Sequence, residues 1–320
     1  ERVVTPQEFS VIDQSCLPLS LQFSYDEYRE APSVGFAVQE IAVGRFASAC
    51  ISLQKSRSVI DNTALAGLHI WCLSQDNNLS AAQQLLNTAI AEFEVDQHLA
   101  YSGAIIHEQS GNHQLAHSLY SDLFALNGEP MILEACARTA LASSQSQRCL
   151  DCLDQLLLAT EITPKHLTMR AAAFAQLDRY LESMALLVHM LEDWPNDGEL
   201  LLQTAFVAYD YAAASSSLEL YVDAAILLRR ITELDPQNAA VLLPLARCYA
   251  ASGDFNESTL AFMRCLELEP NNVAASHELS DLYMTYNDKS LAQKILRQLL
   301  NQPISPVARQ QTTHKLSQLD

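Results

Sequence analysis

The sequence predicts an all-α chain, a solenoid of about eight helix-turn-helix repeats, and three observations carry that prediction. Residues 239–272, AAVLLPLARCYAASGDFNESTLAFMRCLELEPNN, form a 34-residue unit whose pattern returns in weaker copies from about residue 30 to about residue 304. With 49% hydrophobic residues but only 8 Gly and 11 Pro in 320, the chain is too apolar for disorder and too poor in turn residues for an all-β fold. Within the 34-residue unit, small residues stand where two antiparallel helices would cross: Ala246, Ser258 and Cys265 permit close approach, while Leu242, Leu245, Tyr249 and Phe262 fill the space around them.

Taken in chain order, residues 1–29 break the pattern, and Pro6, Pro18 and Pro32 punctuate short segments. They are expected to be either a cap over the first repeat or a linker from a preceding domain, which the start at Glu1 rather than Met also suggests. They lack the basic stretch and apolar core of a signal peptide. Repeat starts then fall near 30, 63, 97, 130, 164, 198, 239 and 273. Repeat one rests on Gly44, Phe46, Ala49 and Leu53, and repeat three on Gly111, Ala116, Tyr120 and Leu123, with Asn127-Gly128 to end it. Repeats two, four and eight keep Ala82, Cys149 and Ala292 at the small position of the second helix, each followed four residues on by Leu86, Leu153 or Leu296. Repeat five carries Leu167, Ala171, Phe174, Tyr180, Ser183, Leu187 and Pro195. Repeat six holds seven extra residues around YDYAAASSSLEL, which read as a lengthened first helix or, the commoner outcome, a Ser-rich loop. In repeat seven Gly253-Asp254 turns the chain and Pro270 stops the second helix. Residues 305–320 form a capping helix that would lay Val307, Leu316 and Leu319 over the last repeat.

The residues Leu242, Leu245, Ala246, Tyr249, Ser258, Phe262, Cys265 and Pro270 stand at the offsets of the tetratricopeptide repeat, which the chain resembles over 30–304. That resemblance implies a right-handed superhelix whose first helices line a concave groove with their second, fifth, ninth, twelfth and thirteenth positions. On this register it nominates Trp71, Tyr101, Glu108, Arg138, Gln176, Phe206, Tyr209, Arg247 and Asp281 as partner-binding residues. Relatives that clamp the acidic C-terminus of a chaperone carry Lys, Asn and Arg at such positions. Gln, Glu, Ala and aromatics stand there in this chain, against a carboxylate clamp. The groove instead suits an amphipathic helix or an extended apolar peptide, with Trp71, Tyr101, Phe206 and Tyr209 as anchors. For each of the four, burial between repeats is the competing reading.

The chemistry left open is narrow. A net charge of −19, from 38 acidic and 19 basic residues, disfavours nucleic acid, which needs clustered Lys and Arg. No apolar run is long enough to cross a membrane. The eight cysteines are scattered, several on positions for small buried residues, so neither a disulfide framework nor a metal site is expected and a reducing compartment is favoured. Cys149 and Cys152 form a C-x-x-C inside a predicted helix, with no second pair. His113 and His117 lie one turn apart but have no third ligand in the pattern. Phosphate-loop, dinucleotide, nucleophile-elbow and zinc-protease motifs are all missing, so no catalysis and no cofactor are expected. The function these features predict is protein binding by an adaptor or assembly chaperone, in the cytoplasm or alternatively the periplasm. Bacterial pilus or secretion assembly is a typical setting. The alternative is a regulatory or sensory region of a larger protein, such as a transcription activator or a transferase. Partner identity and oligomeric state stay open.

Overall fold

The structure, a computed structural model, describes residues 14, 17–18, 21–22, 34–57, 62–161 and 163–319. Among them are seventeen α-helices and no strand. In chain order these are α1 Val34–Ala42, α2 Phe46–Arg57, α3 Thr63–Gln75, α4 Leu79–Glu92, α5 Gln97–Gln109, α6 His113–Asn127, α7 Pro130–Ala142, α8 Ser146–Ala159 and α9 Pro164–Gln176. There follow α10 Tyr180–Asp193, α11 Gly198–Ser215, α12 Leu218–Leu234, α13 Ala239–Ser252, α14 Phe255–Leu268, α15 Val273–Thr285, α16 Lys289–Leu300 and α17 Pro306–Gln318. The chain divides into two compact units, Glu1–Ala173 and Phe174–Asp320. Consecutive helices pack on one another from α1 to α8 and from α10 to α17. The expected cap or linker over residues 1–29 lies outside the described residues except at five positions, where Leu17 and Leu21 are buried in the first unit's core.

A single backbone device recurs at the turn between the two helices of each pair. One residue there takes a left-handed conformation: Gly44, Asn77, Gly111, Ser144, Asp178, Ser216, Gly253 and Asn287, in order. Only glycine adopts this region without steric cost, and Asn and Asp tolerate it because their short polar side chains bond locally. Five of the helices that follow a pair are started by a side-chain cap. Asn62 accepts from the Leu65 amide, Asp96 from His98 and Leu99, Asp197 from Leu200, Asn272 from Ala275 and Ser305 from Ala308. Such caps satisfy amides that the helix itself leaves unbonded.

Small residues set the helix crossings. Ala246 and Ser258 are both fully buried, and the Ser258 hydroxyl donates to the Ala246 carbonyl at 2.9 Å, bringing α14 onto α13. Between consecutive first helices of the first unit, Gly67 plays the same part. The Ser102 hydroxyl of α5 donates to the Gly67 carbonyl of α3 at 2.8 Å. The additional seven residues of repeat six are taken up by helix. α11 runs 18 residues and α12 runs 17, against 13 and 14 for α9 and α10, so the Ser-rich stretch extends both helices and leaves Ser216 as the turn. In α17, Val307 is 66% exposed, while Ala308 and Thr312 are buried, and beyond the helix Leu319 packs, partly buried, on the second unit's core as expected. This corrects the expectation for Val307: Thr312 is set by its contact with His277, whose Nε2 lies 2.8 Å from the Thr312 hydroxyl.

Candidate protein-binding face

Four ion pairs that cross between repeats start from first helices. In the first unit the Arg138 guanidinium of α7 reaches Glu108 of α5 through two bonds, Nε to Oε1 at 2.5 Å and Nη2 to Oε2 at 3.0 Å. The Tyr120 hydroxyl donates to the same carboxylate at 3.0 Å. Glu134 of α7 takes the next step, accepting from Lys165 of α9 at 2.6 Å with His166 Nε2 3.5 Å away. Against the cost of burial, the hydrogen bond from Lys165 holds the Glu134 carboxyl below the usual range. In the second unit Arg247 of α13 bonds both oxygens of Glu278 of α15, at 2.8 and 2.6 Å. Asp281 of α15 then accepts from Lys315 of α17 at 2.7 Å. Planar guanidinium meeting carboxylate in two parallel bonds fixes register as well as charge.

These contacts account for four of the nine nominated residues: Glu108, Arg138, Arg247 and Asp281 are each engaged with another residue of the chain. Trp71 and Tyr101 are buried, 9% and 7% exposed, which leaves little of either ring to meet a ligand. Trp71 stands edge-on to Phe46 with centroids 5.8 Å apart, and Tyr101 edge-on to Tyr120 at 6.0 Å. Burial foremost pushes the Tyr101 hydroxyl up to about 12, with the Glu129 carboxylate adding to it. Gln176 closes α9 and is exposed.

Phe206 and Tyr209, on α11, remain. Phe206 keeps 38% of its surface exposed, and Tyr209 is half-buried, edge-on to Tyr221 of α12 at 5.7 Å. Leu202 lies one turn before Phe206 and Asp210 one turn after it. From α13 come Leu243, half-buried, and Arg247, which lies near enough to Tyr209 to oppose the rise that burial imposes on its hydroxyl. Burial also raises the Asp210 carboxyl. The result is an aromatic and aliphatic face beside the paired Arg247 and the carboxylate of Asp210. Sequence reasoning missed Glu278, Lys315 and Tyr120 as partners. The available signal was opposite charge one repeat apart along the first helices, as in Glu108 with Arg138.

The other flagged groups sit inside the fold. His117 is buried and its Nδ1 is bonded to the Cys136 carbonyl at 3.0 Å. Cys149 is fully buried, which pushes its thiol up to about 12. Among the described residues no group of three or more His, Cys, Asp or Glu side chains is arranged to hold a metal ion, and no helix is long and apolar enough to cross a membrane.

Paired antiparallel helices, turned by a left-handed residue and packed in sequence, define a helical-repeat protein. The chain has the fold of tetratricopeptide repeat proteins, and its residues 217–262 match the tetratricopeptide repeat family model. It is similar to a tetratricopeptide repeat protein from Parabacteroides merdae ATCC 43184, at 15% identity and a TM-score of 0.57 over 80% of this chain and 98% of that one. It is also similar to a chain of the APC/C hetero-tetramer Cut9-Hcn1, at 14% identity and a TM-score of 0.51 over 90% of this chain and 55% of that one. No curated protein matches the chain by sequence.

Proposed function

We propose that the chain is a non-catalytic binding module that receives an amphipathic helix or extended apolar segment of another protein on the first-helix face of its second unit. The observation that carries the reading is Phe206, a large aromatic held 38% exposed beside Tyr209, while the nearby Arg247 is already paired with Glu278. A segment docking there buries apolar surface without stripping water from an unpaired guanidinium, and exposed aromatic side chains are the usual anchors of such contacts. The face is apolar at Leu202, Phe206 and Leu243, a spacing suited to residues one turn apart on a bound helix.

The test is capture of partners by the intact chain and by a Phe206→Ala, Tyr209→Ala variant, followed by a titration of the captured segment against both. Phe206→Ala removes an exposed ring, so helicity should stay at the wild-type level. Binding of the segment should weaken at least about tenfold, the size expected for loss of an anchor worth over 1 kcal/mol. Equal affinity of both proteins for the segment removes this face from the reading.

A further inference from the structure

The outer face of the second unit is apolar at positions where neighbouring helices are polar. One small, fully buried residue fixes the register of each second helix: Ser183 in α10, Ala224 in α12 and Ser258 in α14. The residues two before, two after and five after it share the face on the far side of the helix. In α10 they are Leu181, Ala185 and Val188, in α12 Val222, Ile226 and Arg229, and in α14 Asn256, Leu260 and Met263, all exposed. In α8, before them, they are Gln147, Asp151 and Asp154, and in α16, after them, Ser290, Lys294 and Arg297. α4 and α6 are polar at all three as well. The fold does not require apolar residues there, because the core of these helices is supplied from the other side by Leu187, Leu228 and Phe262, all buried.

Leu181, Val188, Val222, Ile226, Leu260 and Met263 are between 46% and 70% exposed. Together they present about 500 Å² of apolar surface, near the upper limit for the largest patch on a monomer. With a charged rim such a patch reaches the ~800 Å² per partner that a standard interface buries. The rim indicates the partner. On α12, Asp223 stands before Ile226 and Arg230 after it, both exposed and on the same flank of the apolar stripe. Arg230 bonds the neutral Asn196 side chain at 2.7 Å, a contact that leaves its charge unmet. A second copy of α12, reversed in direction, sets each Asp223 opposite an Arg230, the self-complementarity that a two-fold contact needs. A uniformly basic or uniformly acidic partner would meet one of the two with like charge.

We propose that two copies of the chain associate through this face, α12 antiparallel to α12 about a two-fold axis near Ile226, with Asp223 of each copy paired to the partner's Arg230. Val222 and Ile226 form the centre of the contact, and the apolar residues of α10 and α14 close around them. The contact uses second helices, so it is independent of the first-helix face at Phe206 and leaves that face open in both copies. One dimer then presents two such faces.

Sedimentation velocity of the full chain up to about 100 μM reads the dimer, in about 0.15 M salt, where the Debye length is about 8 Å and the net charge of −19 is screened. Ile226→Glu alters an exposed position, so ellipticity should stay at the wild-type level while the dissociation constant rises at least about tenfold. Asp223→Arg or Arg230→Glu alone should weaken the dimer several-fold by setting like charges face to face. The double variant, which exchanges the two signs, should restore it. A wild-type chain that stays monomeric at about 100 μM overturns the proposal, as does a dimer indifferent to Ile226→Glu. Single variants that weaken the dimer with no recovery in the double overturn the antiparallel pairing. A monomeric chain that captures another protein and loses it on Ile226→Glu assigns the face to that protein instead of a second copy.

Discussion

Two glycines on the first helices of the first unit should respond to the same substitution with opposite signs. A Cβ at Gly67 would lie 2.8 Å from the His98 carbonyl oxygen, 2.9 Å from the His98 Cβ and 3.0 Å from its carbonyl carbon. Two of these atoms are backbone of a packed helix, so α3 and α5 must separate. Alanine gains about 1 kcal/mol of helix propensity over glycine. Overpacking of this kind costs about 1–3 kcal/mol, and the 2.8 Å bond from Ser102 to the Gly67 carbonyl, worth about 0.5–1.5 kcal/mol, lengthens at the same time. Gly67→Ala should therefore destabilise the chain by about 1–3 kcal/mol net. At Gly103 the added Cβ meets only Leu86 side-chain carbons, at 3.7 and 3.9 Å, which is ordinary contact. Gly103→Ala should stabilise by about 0.5–1 kcal/mol. Urea denaturation followed by circular dichroism at 222 nm measures both in one series. A Gly67→Ala variant as stable as the wild type would show that the close approach of α3 and α5 is not a constraint.

The ion pairs of the first helices should differ in weight. Arg138→Met leaves Glu108, with its side chain only 17% exposed, facing the Tyr120 hydroxyl without its cation, and should cost about 1–2 kcal/mol. Arg247→Met, in a pair 38% and 34% exposed, should cost under about 1 kcal/mol; equal losses in denaturation would refute the ranking. Tyr101 gives an alkaline signature. Its folded hydroxyl is raised from 10.0 to about 12, so the buried neutral phenol stabilises the fold in full below pH 10, and that stability is lost as pH rises from 10 towards 12. Midpoints at pH 9 and near pH 12 should fall by on the order of 2 kcal/mol more in the wild type than in Tyr101→Phe, and parallel losses would place the cause elsewhere.

The fold class was legible because its determinants are local and periodic. Ala246, Ser258 and Cys265 are fully buried, as crossing residues must be, and the sequence shows them directly at fixed offsets. The candidate site was less legible. A position on a first helix reveals which way a side chain departs, but not what meets it. Glu108 and Arg138 occupy such positions and find each other across one repeat, a partnership that depends on two long side chains and on the stagger of their helices. Trp71 illustrates a second limit. Its ring packs edge-on against Phe46 of the preceding repeat, so a position at the margin of core and surface becomes core. Phe206 sits at the same position of its helix as Trp71 and remains exposed, a difference that packing against α12 and α13 determines and periodicity does not.

The stagger of the ion pairs reaches beyond stability. Glu108 and Arg138 are 30 residues apart, Glu134 and Lys165 are 31, Arg247 and Glu278 are 31, and Asp281 and Lys315 are 34. Each pair joins a repeat to the one after it and to no other. An in-frame duplication or loss of one repeat in the gene, inside either unit, would thus hand each surviving helix a neighbour of the kind it already has. Chain length in such a molecule is open to inheritance in steps of one repeat, while the docking residues on any one helix drift independently of the rest.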